Sequence, residues 1–108
     1  MVSPQTLTLE ERRVAGAWAL RCAEEVLPLF EVCAPEDLRP RRALEGLGAF
    51  VRGELAVGAA RTLAFAAHAA AREVTAPSAV AAARAAGQAV STAHMGAHAV
   101  GAAVYAAR

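Results

Sequence analysis

The sequence predicts an all-α fold, a compact bundle of four to five helices with no sheet. Three observations carry that prediction. Helix formers dominate, with Ala alone at 31 of 108 residues. No stretch alternates β-branched and polar residues as a half-buried strand does. Proline stands at three candidate helix boundaries, Pro28, Pro40 and Pro77.

The first helix opens at Thr8-Leu9-Glu10-Glu11, a capping box in which the Thr8 hydroxyl accepts from the Glu11 amide and Glu11 reaches back. It runs to about Val32. Pro28 lacks a backbone donor and is expected to bend or restart it. Ala34-Pro35-Glu36-Asp37 is a turn. The second helix starts near Pro40 and runs to about Arg52, where Gly53 or Gly58 breaks it. The third spans about Val57 to Val74. Thr75-Ala76-Pro77-Ser78 is the next junction, and helical signal then continues to Tyr105. A straight helix of that length measures about 45 Å, whereas a chain of this size has a radius of gyration of about 13 Å. A break near Gly87, or better at Met95-Gly96, is therefore expected.

Helical phase places the core. The first helix buries Ala15, Ala19, Cys22, Val26 and Leu27, with Trp18 at the border of its polar side beside Glu11, Arg21 and Glu25. The second buries Leu44, Leu47, Gly48, Val51 and Leu55, and exposes Arg41, Glu45 and Arg52. The third buries Leu63, Ala66, Ala67, Ala70 and Val74. Its other face carries Arg61, Phe65, His68 and Arg72 at i, i+4, i+7 and i+11. The 108 residues fit a single domain, with residues 1–7 expected to be a flexible N-terminus.

Composition excludes several classes of function. A formal charge of +1 lacks the basic excess of a nucleic-acid binder, so no nucleic-acid partner is expected. The chain has no Lys, Asn or Ile, all encoded by AT-rich codons, so its all-arginine basicity reflects a high-G+C genome rather than selection for phosphate contacts. The charge-free run from Ala85 to Ala107 reaches the about 20 residues of a membrane span. It is mostly Ala and Gly and holds Gln88, Ser91, Thr92, His94 and His98, so it is expected to be a buried helix, with no membrane partner. No basic region and apolar run mark a signal peptide. A cytoplasmic location is expected, with Cys22 and Cys33 reduced. On one continuous helix they lie about 16 Å apart, too far for a disulfide.

Chemistry-bearing residues are few. His94 and His98 have the i, i+4 spacing of two metal ligands on one helical face. Zinc needs a third and a fourth ligand, which His68 alone does not complete. Ser91, His94, His98 and Tyr105 form a polar stripe among alanines; satisfaction of one another or of backbone carbonyls is the expected role, and ligand binding the alternative. Glu10-Glu11 and Glu24-Glu25 point about 100° apart and are solvated charge. No P-loop, CxxC, GxSxG or GxGxxG motif occurs. No catalytic residue, metal or cofactor is therefore expected. Arg61, Phe65, His68 and Arg72, together with Trp18, are the candidate partner-contact residues, since Arg and aromatics are enriched at interfaces. Internal packing of this face, against Glu residues of the first helix with Phe65 in the core, is the favoured expectation, and partner contact the alternative.

These blocks carry a resemblance. Trp18-Ala-Leu-Arg-Cys-Ala-Glu-Glu-Val-Leu-Pro-Leu-Phe-Glu31, Arg39-Pro-Arg-Arg-Ala-Leu-Glu45 and His68-Ala-Ala-Ala-Arg72 are three of them. Ala83-Arg-Ala-Ala-Gly-Gln-Ala-Val-Ser-Thr-Ala-His-Met-Gly-Ala-His98 and Gly101-Ala-Ala-Val-Tyr-Ala106 are the others. Together they resemble the immunity-five-like immunity proteins of bacterial polymorphic-toxin systems, from about Glu11 to Ala107. The two long blocks are the specific ones. The resemblance implies an all-α domain that binds and neutralises a cognate toxin, and it transfers no catalytic residue. Two alternatives come from other classes: a small metal-binding protein or enzyme using His68, His94 and His98, and a structural homo-oligomer subunit. From Val74 onward only Arg84 and Arg108 are charged. That predicts a homodimer formed through the Ala/Gly-rich C-terminal third, with burial of the last helix at the bundle centre as the rival.

Overall fold

The computed structural model describes residues 8–55, 57–93 and 105–107. Among these the chain forms four helices and no strand: α1 (Leu9–Cys33), α2 (Arg39–Val51), α3 (Val57–Ala71) and α4 (Pro77–Ser91). Tyr105 and Ala106 also have helical backbone. The Cα radius of gyration is 12.5 Å. The expected flexible residues 1–7 and the expected break at Met95-Gly96 lie outside the described residues.

α1 starts on the capping box. The Thr8 hydroxyl accepts from the Glu11 amide at 3.1 Å, and the Glu11 carboxylate accepts from the Thr8 amide at 2.9 Å. Both bonds favour the carboxylate, so Glu11 is held below the usual Glu range. Pro28 corrects one expectation. The restart offered there does not occur, and one helix continues through it to Cys33. Pro28 is exposed, so the carbonyl that loses its helical donor faces solvent. Because the phase is unbroken, the inner face runs on through Gly16, Ala19, Ala23, Leu27 and Phe30. Phe30 is completely buried, whereas Ala15, Cys22 and Val26, expected inside, are half-buried.

α2 has Pro40 in its first turn, where a missing N–H costs nothing. Asp37 lies just before the helix and accepts from the Arg39 amide. Ala43, Leu44, Leu47 and Phe50 face inward. Gly48, Val51 and Leu55 are half-buried rather than buried, while Arg41, Glu45 and Arg52 are exposed as their phase predicts. Gly53 ends the helix with φ +79°, a conformation that a Cβ disfavours. α3 buries Ala60, Ala64, Ala67, Ala70 and Ala71; Leu63, Ala66 and Val74 are only half-buried. Small residues bring helices close, and the Leu63 side chain fills the space over Gly46.

α4 corrects a second expectation. Gly87 does not break the helix; it lies inside α4 and is buried. α4 is the central helix, with Ala79, Ala82, Ala83, Ala85, Ala86, Ala89 and Val90 within 1% of complete burial. It packs on α1, α2 and α3, while α1 and α3 are not neighbours. Within the Ala-rich segment offered by the sequence for self-association, residues 79–91 are largely buried in their own chain, while Pro77 and Ser78 are exposed. A helix apolar all round belongs at such a centre.

The core has two clusters. One gathers Leu27, Leu44, Leu47, Phe50 and Val90 with surrounding alanines. The other centres on Phe30 against Ala70, Ala79 and Ala83.

Candidate functional site

The i, i+4, i+7, i+11 spacing on α3 produces a definite outer face. With its alanines turned inward, α3 directs Phe65 away from the core, where it is 68% exposed. The favoured expectation, Phe65 in the core and this face against the first helix, is thereby corrected: the inner positions are filled by Ala60, Ala64 and Ala67, and α1 does not contact α3. Arg61 and Arg72 are exposed on the same side, and neither has a carboxylate partner among the described residues. α3 contains no acid. The acids that flank it in sequence, Glu54 and Glu73, are engaged by Arg52 and Arg39. The result is an aromatic ring between two uncompensated guanidinium groups.

His68 departs from this face. It is half-buried and turns toward α4, where Arg84 Nη1 lies 3.3 Å from its Nδ1. A guanidinium can only donate, so Nδ1 is the acceptor in this contact. Its Nε2 corner occupies the space above Gly87. Ser91, one turn on, donates to the Gly87 carbonyl at 2.9 Å. Arg84 and Tyr105 line a cavity of about 520 Å³ together with Thr75, Pro77, Ser78, Val80 and Ala81. His94 and His98 lie outside the described residues. Among the described residues, no three His, Cys, Asp or Glu side chains are placed to hold a metal ion. Cys22 and Cys33 are free thiols.

Trp18 stands apart from the other candidates. It is 49% exposed on the outer face of α1, which α2 and α4 separate from α3. The candidate partner-contact residues thus fall on two faces, not one. The α1 face also exposes Val14, Leu29 and Val32, which phase reasoning did not single out. Their signal was present as a spacing of 4, 11 and 3 residues that returns to the same helical angle.

Charged side chains fasten the inter-helix seams. Arg41 on α2 grips Glu31 of α1 through two bonds, of 2.7 and 2.6 Å. Arg39 holds Asp37 with the same fork and also bonds Glu73 after α3. The guanidinium keeps the Asp37 carboxyl below the usual Asp range, against the opposing effect of partial burial. A groove of about 290 Å³ between α1 and α2 has Leu20, Leu27 and Leu44 among its lining, with Glu24 and Glu45 at hand.

Residues 5–108 match the family described as "Imm-5 like putative immunity protein". No curated protein and no solved structure matches the chain. No described helix is long and apolar enough to cross a membrane.

Proposed function

The chain belongs to the Imm-5 like immunity protein family, and from that membership we propose that it binds a cognate bacterial toxin protein and neutralises it by stoichiometric contact. The carrying observation is Phe65 on α3, 68% exposed and lying in sequence between Arg61 and Arg72, which have no carboxylate partner among the described residues. A large aromatic held out in water by a helix packed through its opposite face is a pre-formed anchor, and aromatics and Arg dominate interface hot spots. The two guanidinium groups favour a toxin surface with an apolar pocket rimmed by carboxylates, and they steer its approach.

The reaction class in this proposal is binding, with no catalysis, metal or cofactor. The engagement of His68 Nδ1 by Arg84 supports a packing role for that histidine over a ligand role. One domain suffices for the task, and a bacterial cytoplasm, where toxin and immunity protein are made together, is the proposed location. Neither nucleic acid nor membrane is a proposed partner.

Co-production with a candidate toxin from a neighbouring reading frame tests this. The wild-type chain should restore growth and co-purify with the toxin. Arg61→Glu combined with Phe65→Ala should abolish both while leaving the helical circular dichroism intact. Protection by the variant equal to wild type overturns the α3 assignment. Failure of the wild type either to protect or to bind overturns toxin neutralisation itself.

A further inference from the structure

α1 carries an exposed face that no described part of the chain covers. Val14, Trp18, Leu29 and Val32 are 68%, 49%, 48% and 82% exposed. At 100° per residue they fall within a sector of about 60°, and from Val14 to Val32 the strip is about 27 Å long. Glu25 lies within the same sector and Arg21 about 20° beyond its edge, both exposed. Neither has an ion-pair partner among the described residues.

The order of these residues is self-complementary when reversed. With a second α1 laid antiparallel and a two-fold axis level with Ala23, residue i faces residue 46 − i. Val14 then meets Val32 of the second copy. Trp18 meets the Pro28–Leu29 step. Arg21 meets Glu25, and Glu25 meets Arg21. Every apolar residue finds an apolar partner and each charge finds its opposite, as an isologous interface requires. The inward face of α1 is occupied by α2 and α4, which leaves this strip facing outward among the described residues.

We infer that the outer face of α1 is a homodimer interface, with two copies docked antiparallel through Val14, Trp18, Leu29 and Val32 and cross-linked by two Arg21–Glu25 pairs. This differs from association through the C-terminal third, because α4 is covered within one chain. It does not depend on the toxin reading, and it leaves the α3 face of each copy free. A strip about 27 Å long and one helix of about 10 Å wide offers roughly 300 Å² per copy, well below the about 800 Å² of a standard interface. The dimer is therefore weak and concentration-dependent.

Sedimentation equilibrium of the whole chain from about 10 μM to about 1 mM spans the range for a weak interface. The expected result is a mass rising from one chain to two. Arg21→Glu sets like charges against Glu25 of the second copy, and Glu25→Arg does the same against Arg21; each variant alone should remain monomeric. An equimolar mixture of the two variants should dimerise, since every facing pair is then opposite in charge. Val32→Glu, at an 82% exposed position, should also give a monomer without loss of helix content. A wild-type monomer at every concentration overturns the interface. So does a dimer that survives Arg21→Glu and Val32→Glu, or a charge-reversed mixture that stays monomeric.

Discussion

The imidazole of His68 on α3 sits where a side chain at position 87 of α4 would begin. A Cβ built on Gly87 would meet His68 Nε2 at 2.6 Å, Cε1 at 2.7 Å and Cδ2 at 2.9 Å. Glycine at 87 and histidine at 68 are thus one packing decision, not two. Gly87→Ala should destabilise the protein by about 1–3 kcal/mol, the usual cost of overpacking. In a His68→Ala background the space is open, and Gly87→Ala should be neutral or stabilising, because Ala exceeds Gly in helix propensity by about 1 kcal/mol. Urea denaturation of the four chains measures the coupling. Equal effects of Gly87→Ala in both backgrounds would falsify it.

Gly53 is fixed by conformation instead. Its φ of +79° is one that L side chains rarely adopt, and an added Cβ would also lie 3.3 Å from Arg13 Nη2. Gly53→Ala should cost about 1–2 kcal/mol, seen as a lower urea midpoint with an unchanged slope. A gain in stability would show that the turn can relax into another conformation.

The Asp37–Arg39 pair gives stability a pH dependence of known sign. Arg39 lowers the Asp37 carboxyl below its unfolded value. The stabilisation is therefore fully present above the unfolded Asp range and is lost as pH falls through the depressed folded value. Asp37→Asn should flatten the acid limb of the thermal-stability profile, while Glu36→Gln, next along the chain, leaves it steep. An acid limb unaltered by Asp37→Asn removes the pair from the acid response.

Most of the helix placement was legible because it rests on local chemistry. The Thr8–Glu11 box and Pro40 and Pro77 in first turns each act within four residues of themselves. What was not legible depends on long-range packing. Pro28 reads as a break on propensity alone, but its exposed position lets solvent serve the freed carbonyl, so Phe30 stays in phase with Leu27 and enters the core. Gly87 reads as a weak point in a helix until His68 arrives from α3 to fill the space above it. The same limitation hid the α1 face. Val14, Leu29 and Val32 are ordinary core residues in composition, and only the placement of α2 and α4 against the other side of α1 shows that they face outward. Arg61, Phe65 and Arg72 do share the face their spacing predicts. Trp18 does not join them, because α1 and α3 are not neighbours.

The two phenylalanines Phe50 and Phe65 separate stability from binding. Phe50 is 2% exposed in the main core among Leu44, Leu47 and surrounding alanines. Alanine neighbours have few atoms with which to refill a void, so Phe50→Ala should cost about 3–5 kcal/mol. That is a large part of the about 5–15 kcal/mol a domain has, and Phe50→Leu, a milder truncation, provides a graded second point. Phe65 has 68% of its surface in water and little packing to lose, so Phe65→Ala should change stability by less than about 0.5 kcal/mol. Thermal melts of the three variants decide the matter directly. A large loss on Phe65→Ala would mean that its ring supports the bundle and that its exposure is not that of a binding anchor. An unchanged melt, with a lost toxin complex, assigns Phe65 to the partner and Phe50 to the fold.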